Sequence, residues 1–183
     1  MDKKKYKVAI VGCGGIGHAH MEGYNKVEEV EVIACCDPVP SAVEYYKKEF
    51  NIQHGFNDLD EMLRVAQPEI ISICVWHLLH DEITIKVANS ESVKGIICEK
   101  PMAIGVEKAR AMVKACEEND VKLAISHQRR FTPGWIKAKE LVENGEIGIP
   151  NRAELRVKDG LLNWGTHSID GARYILGDPK PVW

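Results

Sequence analysis

The turn Gly12-Cys13-Gly14-Gly15-Ile16-Gly17 joins an apolar run, Lys7–Val11, to a helical pattern, Ile16–Val27, and this junction narrows the fold most. Glycines at its first, third and sixth positions permit a tight turn, a close approach to the backbone, and close packing of helix on sheet. The rest of the chain repeats the alternation. Val30–Cys36 is a second apolar run, ended by Asp37-Pro38. Pro40–Phe50 carries Val43, Tyr46 and Phe50 at helical spacing. Gln53–Phe56 reads as a short strand and Leu59–Val65 as a helix capped by Asn57 or Asp58. Ile70–Val75 and Gly95–Cys98 are apolar runs suited to strands covered on both faces. Between and after them Leu79–Ala88 and Val106–Glu118 read as helices, the second with Val106, Ala109, Met112, Val113 and Cys116 on one face. Val121–Ser126 is the sixth run. The pattern predicts a doubly wound, parallel α/β sheet with strand order 3-2-1-4-5-6.

The pattern changes after His127. Pro133–Glu143 reads as a helix stopped at Asn144-Gly145, Arg152–Val157 as a half-exposed strand, Leu161–Gly165 as a turn and Thr166–Leu176 as a helix stopped by Gly177. A lone strand leaves backbone groups unpaired. Two domains are therefore expected, 1–127 and 128–183, with the second α/β domain incomplete or its sheet completed by another chain.

Composition excludes several functions. Twenty-four basic and 27 acidic residues are well mixed and the net charge is -3, which predicts no nucleic-acid partner. Lys3-Lys4-Lys5 reads as a solvated lead-in to the first strand. No apolar run approaches the roughly 20 residues of a membrane span, and no apolar segment marks a signal peptide. The six cysteines form no C-x-x-C pair and mostly occupy apolar runs, so a reducing, cytoplasmic setting is expected.

Three groups of residues carry chemistry. In the glycine turn, Gly12, Gly14, Gly15, Ile16 and Gly17 open a helix whose free N–H groups and positive dipole end suit a pyrophosphate. Asp37 closes the second apolar run, roughly 20 residues beyond Gly17, where a carboxylate accepts hydrogen bonds from both ribose hydroxyls. It also repels a 2′-phosphate, and Pro38, Val39 and Pro40 offer no compensating cation, so NAD is expected over NADP. The second group is Cys98-Glu99-Lys100-Pro101, leaving the fifth strand at the end of the sheet where ligands bind. A lysine there is suited to general acid–base work, although a surface lysine after a strand has the same spacing. The third is Asn163 with His167 and Asp170 at a helix start that Thr166 could cap; a polar helix start without chemistry fits that spacing too. His18 and His20 are two apart, on different helix faces. His77 and His80 can share a face but lack a third ligand, so no metal site is expected. Trp135, Trp164 and Trp183 read as core or interface residues. No G-x-S-x-G elbow is present.

Together these motifs resemble the Gfo/Idh/MocA family of oxidoreductases. The resemblance runs from about Lys7 to Gly177. It rests on the Gly12–Gly17 turn, Asp37, Glu99-Lys100-Pro101, the segment His127-Gln128-Arg129-Arg130-Phe131, and the segment Asn163-Trp164-Gly165-Thr166-His167-Ser168-Ile169-Asp170. It implies a Rossmann domain followed by a domain with a large, mostly antiparallel sheet. It implies hydride transfer between NAD(P) and a secondary alcohol or carbonyl of a sugar, inositol or similar polyol, in a homo-oligomer when full-length. It makes Lys100 and His167 catalytic, with Asn163 in support, and sets Val75, Trp76, His80, Glu99 and Gln128 around the cofactor and Arg130 near the nicotinamide or substrate.

Three departures stand out. Asn163 occupies a position where the family often has Asp, and Asn cannot act as a base. Val75-Trp76 stands where Thr-Pro is usual, which changes the wall beside the nicotinamide. Family members are also usually much longer, so this chain is expected to lack the sheet that forms the substrate floor. Two other functions share these residues. One is a dinucleotide-binding sensor without catalysis. The other is an NAD-dependent glycosidase, which would release an aglycone without net NADH.

Overall fold

The computed structural model describes residues 4–157 and 160–180. The chain divides into two compact units, Met1–Ile125 and Ser126–Trp183. Within the first, six strands form one sheet in the order β3-β2-β1-β4-β5-β6, every neighbouring pair parallel. They are β1 (Tyr6–Val11), β2 (Val30–Cys36), β3 (His54–Phe56), β4 (Ile70–Ile73), β5 (Gly95–Cys98) and β6 (Lys122–Ile125). The crossovers are α1 (Gly15–Tyr24), α2 (Pro40–Phe50), α3 (Leu59–Ala66), α4 (His80–Ala88) and α5 (Val106–Glu118). The expected strand order is the observed one.

Strand alternation explains why both faces are covered. Along β1, Ala9 and Val11 face one core with Met62, Val87, Ile96 and Met112, while Ile10 faces the other with Met21, Val43 and Tyr46. The short apolar strands are thus buried on two sides, which is why they read as unbroken runs rather than alternating ones. Asp58 caps α3, its Oδ1 accepting the Glu61 amide at 2.8 Å.

Several boundaries differ from expectation. α1 ends at Tyr24, not Val27, because the amides of Lys26 and Val27 turn back onto the carbonyls of Gly23 and Tyr24 and lead the chain into β2. β4 stops at Ile73, two residues short of Val75. On α5 the buried stripe is Met112, Ala115 and Cys116; Val106 and Val113 are exposed.

The second unit contains α6 (Pro133–Glu143) and α7 (Thr166–Ile175). Gly171 of α7 lies under the Trp135 ring of α6; a Cβ there would fall 1.9 Å from the ring, so only glycine permits this approach. The expected strand Arg152–Val157 is not formed: these residues are irregular and exposed. An alternating pattern makes a strand only where another strand accepts its hydrogen bonds, and none does so among the described residues of this unit. Leu161–Gly165 is a π-helical turn rather than a simple turn, with the Gly165 amide reaching back to the Gly160 carbonyl. Thr166 does not cap α7; its hydroxyl donates to the Asn163 carbonyl at 3.0 Å. Trp183 lies outside the described residues. No helix among them is long and apolar enough to cross a membrane.

Candidate functional site

The carboxyl ends of β1, β2, β4 and β5 bring the first unit's predicted site residues to one edge of the sheet. Gly12 leaves β1 with φ of 100°, a conformation that favours glycine, and a Cβ there would sit 2.5 Å from the Cys74 carbonyl oxygen. Gly17 lets α1 press on the loop: its Cβ would meet the Gly12 oxygen at 2.3 Å. Gly14 and Gly15 are different. A Cβ at either would meet nothing within 4 Å. The fold does not require glycine there, and the space above them is open to a ligand. The N-terminus of α1 has no side-chain cap and no acidic residue in its first turn, so its donors suit an anion. Ile16 lies beside them, half exposed.

Asp37 ties this loop to β2. Its Oδ2 accepts the Cys13 amide and its Oδ1 the Val39 amide, both at 2.9 Å, while Asn57 donates to its carbonyl. Each carboxylate oxygen keeps further acceptor capacity. The Tyr46 hydroxyl, from α2, donates to the Gly14 carbonyl and braces the loop from beneath. An open cradle of amides beside a fixed carboxylate fits the pyrophosphate and ribose of a dinucleotide. Cys36 next to Asp37, and Cys98 next to Glu99, are buried thiols pushed up to about 12 by burial, which disfavours the thiolate.

At the end of β5, Glu99 is buried and Lys100 half-buried. Glu99 Oε2 accepts the Lys100 amide at 3.2 Å, and its Oε1 lies 3.1 Å from His20 Nε2. The His20 Nδ1 is 3.1 Å from the Ser72 hydroxyl, which meets the Tyr24 hydroxyl at 2.8 Å. The Lys100–Pro101 peptide is cis.

Two residues expected at the cofactor make contacts inside the protein. His80 is 1% exposed. Its Nδ1 lies 2.8 Å from the Pro101 carbonyl and its Nε2 3.1 Å from that of Val75, so it joins the segments after β4 and β5 from within. Glu99, likewise expected as a cofactor contact, has both carboxylate oxygens engaged inside the protein. Trp76, by contrast, is 65% exposed at the mouth of the β4 segment, with Val75 half-buried behind it.

In the second unit, His167 is buried in the first turn of α7 and Asn163 is exposed in the π-helical turn before it. The His127 and His167 rings stand perpendicular with centroids 6.4 Å apart. Asp170 lies 3.6 Å from His127 Nδ1 and takes a two-pronged hydrogen bond from Arg130. Arg130, which the resemblance set near nicotinamide or substrate, is thus held by a carboxylate of its own unit. Gln128 is exposed at the head of the 3₁₀ turn that carries Arg130.

Sequence reasoning missed His20, Ser72 and Tyr24. His20 and His18 do point differently, as their spacing predicts. His18 meets Glu22 and Phe50 near the surface, whereas His20 turns inward to Glu99. No local spacing links residues 20, 72 and 99; β4 beside β5 sets Ser72 near the end of β5, and α1 packed on β4 brings His20 to both.

A doubly wound parallel sheet with a glycine cradle and a strand-end carboxylate defines a dinucleotide-binding α/β domain. The chain belongs to the Gfo/Idh/MocA oxidoreductase family, described by its NAD-binding Rossmann fold, whose pattern matches residues 6–127. It is 26% identical over 94% of its length to a myo-inositol 2-dehydrogenase of Thermotoga maritima, covering 55% of that protein. It is 27% identical over 98% of its length to a D-glucoside 3-dehydrogenase of Escherichia coli, covering 56% of it. An Agrobacterium radiobacter oxidoreductase, solved with NAD+, L-tartaric acid and magnesium, superposes with a TM-score of 0.86 at 25% identity over 95% of this chain and 55% of that one. The chain therefore spans about half the length of the curated relatives it matches.

Proposed function

We propose that this chain carries the cofactor-binding half of an NAD-dependent dehydrogenase acting on a secondary alcohol, or the corresponding carbonyl, of a polyol or sugar-like substrate. The observation that carries the reading is the open backbone above Gly14 and Gly15, beside the Asp37 carboxylate, at the same sheet edge as Glu99-Lys100. The names of the relatives, an inositol and a glucoside dehydrogenase, support the substrate class.

A bound nicotinamide supplies the hydride acceptor. The chain's own residues do the rest. The Gly12–Gly17 backbone and the α1 N-terminus bind the pyrophosphate. Asp37 receives the ribose hydroxyls and disfavours a 2′-phosphate, so NAD is the cofactor rather than NADP. Lys100 exchanges the proton of the substrate hydroxyl through its Nζ. The resemblance gives His167 an orienting role toward a substrate hydroxyl, with Asn163 in support by hydrogen bonding, since an amide cannot serve as a base.

Two measurements test this. Fluorescence titration of the purified chain should show saturable NADH binding; none would overturn the cofactor assignment. Lys100→Met in the complete protein should leave NADH affinity within about twofold and lower turnover by 10²-fold or more, the usual contribution of a general acid–base group. Full turnover in that variant would remove Lys100 from the mechanism.

A further inference from the structure

We infer that His20 is a positioning residue: through Glu99 it sets the path of the backbone at Lys100 and so holds that lysine in place. The functional weight of this inference rests on the role proposed above for Lys100; its geometry does not. Four side chains from three elements form one chain of hydrogen bonds under the strand ends. Tyr24 and His20 come from α1, one turn apart, Ser72 from β4, and Glu99 from the end of β5. Ser72 is fully buried, Glu99 is 7% exposed, and the His20 side chain is 13% exposed. Buried polar groups of this kind are costly unless each donor meets an acceptor.

Donor counting gives the chain a direction. Glu99 is already the acceptor of the Lys100 amide, and its second oxygen faces His20 Nε2. A carboxylate only accepts, so Nε2 carries the proton. In the neutral ring Nδ1 is then an acceptor and takes the Ser72 O–H. The Ser72 oxygen in turn accepts the Tyr24 O–H. Burial pushes the Tyr24 phenol up, consistent with a hydroxyl that keeps its proton and donates. With Glu99 ionised and the His20 ring neutral, this arrangement matches every polar atom along the line. The result is a fixed orientation for the Glu99 carboxylate, and with it for the Lys100 N–H. The same segment is held on its other side by His80 against the Pro101 carbonyl. His20 thus links the helix that opens at the glycine cradle to the strand end that presents Lys100.

The prediction is read without any ligand. In the wild-type chain, nitrogen-detected NMR should show His20 as the Nε2–H tautomer, and the Lys100 amide should exchange slowly. In His20→Leu, which has no donor, Lys100 amide protection should fall about tenfold, the net worth of one hydrogen bond. In His20→Gln, whose side-chain N–H₂ reaches the Nε2 position, protection should return to within about threefold of wild type. A filler that merely packs would favour Leu over Gln, so the order of the two variants separates positioning from packing. An Nδ1–H tautomer in the wild type, or unchanged Lys100 protection in a folded His20→Leu chain, would overturn the inference. Should His20→Leu not fold, the wild-type tautomer and the Gln variant still decide. Failure of the wild type to bind NADH would count against the proposed function alone and leave these exchange results standing.

Discussion

Arg130 grips Asp170 with two prongs: Nε lies 2.9 Å from one carboxylate oxygen and Nη2 2.6 Å from the other. The pair fastens the 3₁₀ turn after the first unit to α7, which also carries His167. Asp170 holds the guanidinium above its ordinary range, with Asp178 adding a weaker contact at 3.5 Å. Lysine cannot reproduce a fork. Arg130→Lys should therefore lower the stability of the second unit by about 2 kcal/mol. Urea unfolding followed by tryptophan fluorescence checks this, because Trp135 packs on α7. An unchanged midpoint would mean the fork contributes nothing.

The glycines separate folding from binding. Gly17→Ala places a methyl 2.3 Å from the Gly12 carbonyl and should destabilise the chain by at least about 2 kcal/mol. Gly14→Ala places one in open space at backbone angles any residue adopts, φ -100° and ψ -171°. That variant should melt within about 2 °C of wild type yet bind NADH at least tenfold more weakly, since the methyl occupies the cradle. Calorimetry and NADH titration on the same samples distinguish the two.

Asp37 should decide between cofactors. A carboxylate near a 2′-phosphate is repelled, by about 1 kcal/mol in water and more where shielded. Titration with NADH and NADPH should show NADH bound at least tenfold more tightly. Asp37→Ala should narrow that ratio by weakening NADH. It should also lower stability, because the carboxylate holds the amides of Cys13 and Val39.

Glu69 offers a test of stability far from the cradle, just before β4. Its carboxylate accepts Lys94 at 2.6 Å and the Lys7 amide at 3.2 Å. These contacts, Lys94 first, hold it below the usual carboxylate range. A lowered folded value means a contribution that is full above about pH 5 and lost as pH falls through the folded value. Glu69→Gln should cost on the order of 1 kcal/mol at pH 7, and the difference should close in acid. Thermal melts at pH 7 and pH 3 measure it; a gap that persists at pH 3 would contradict the charge-based account.

The sequence alone determined the sheet, its strand order and the cradle. Their causes are local: short apolar runs bury on both faces, helical spacing fills the crossovers, and glycines mark the turn where α1 packs close against the end of β1. Asp37 was legible because it lies a set distance beyond that turn, and Asp58 because capping is a contact of a few residues. Tertiary structure decided the rest. His80 sits on a helix like any surface histidine, and only the path of Pro101 over it turns it inward. His20 reaches Glu99 only because β4 lies between β1 and β5. Arg152–Val157 has a strand's alternation, but a strand requires a partner, and no pattern within six residues can supply one. Contacts between residues dozens of positions apart depend on which elements become neighbours, and that is settled by packing rather than by spacing along the chain.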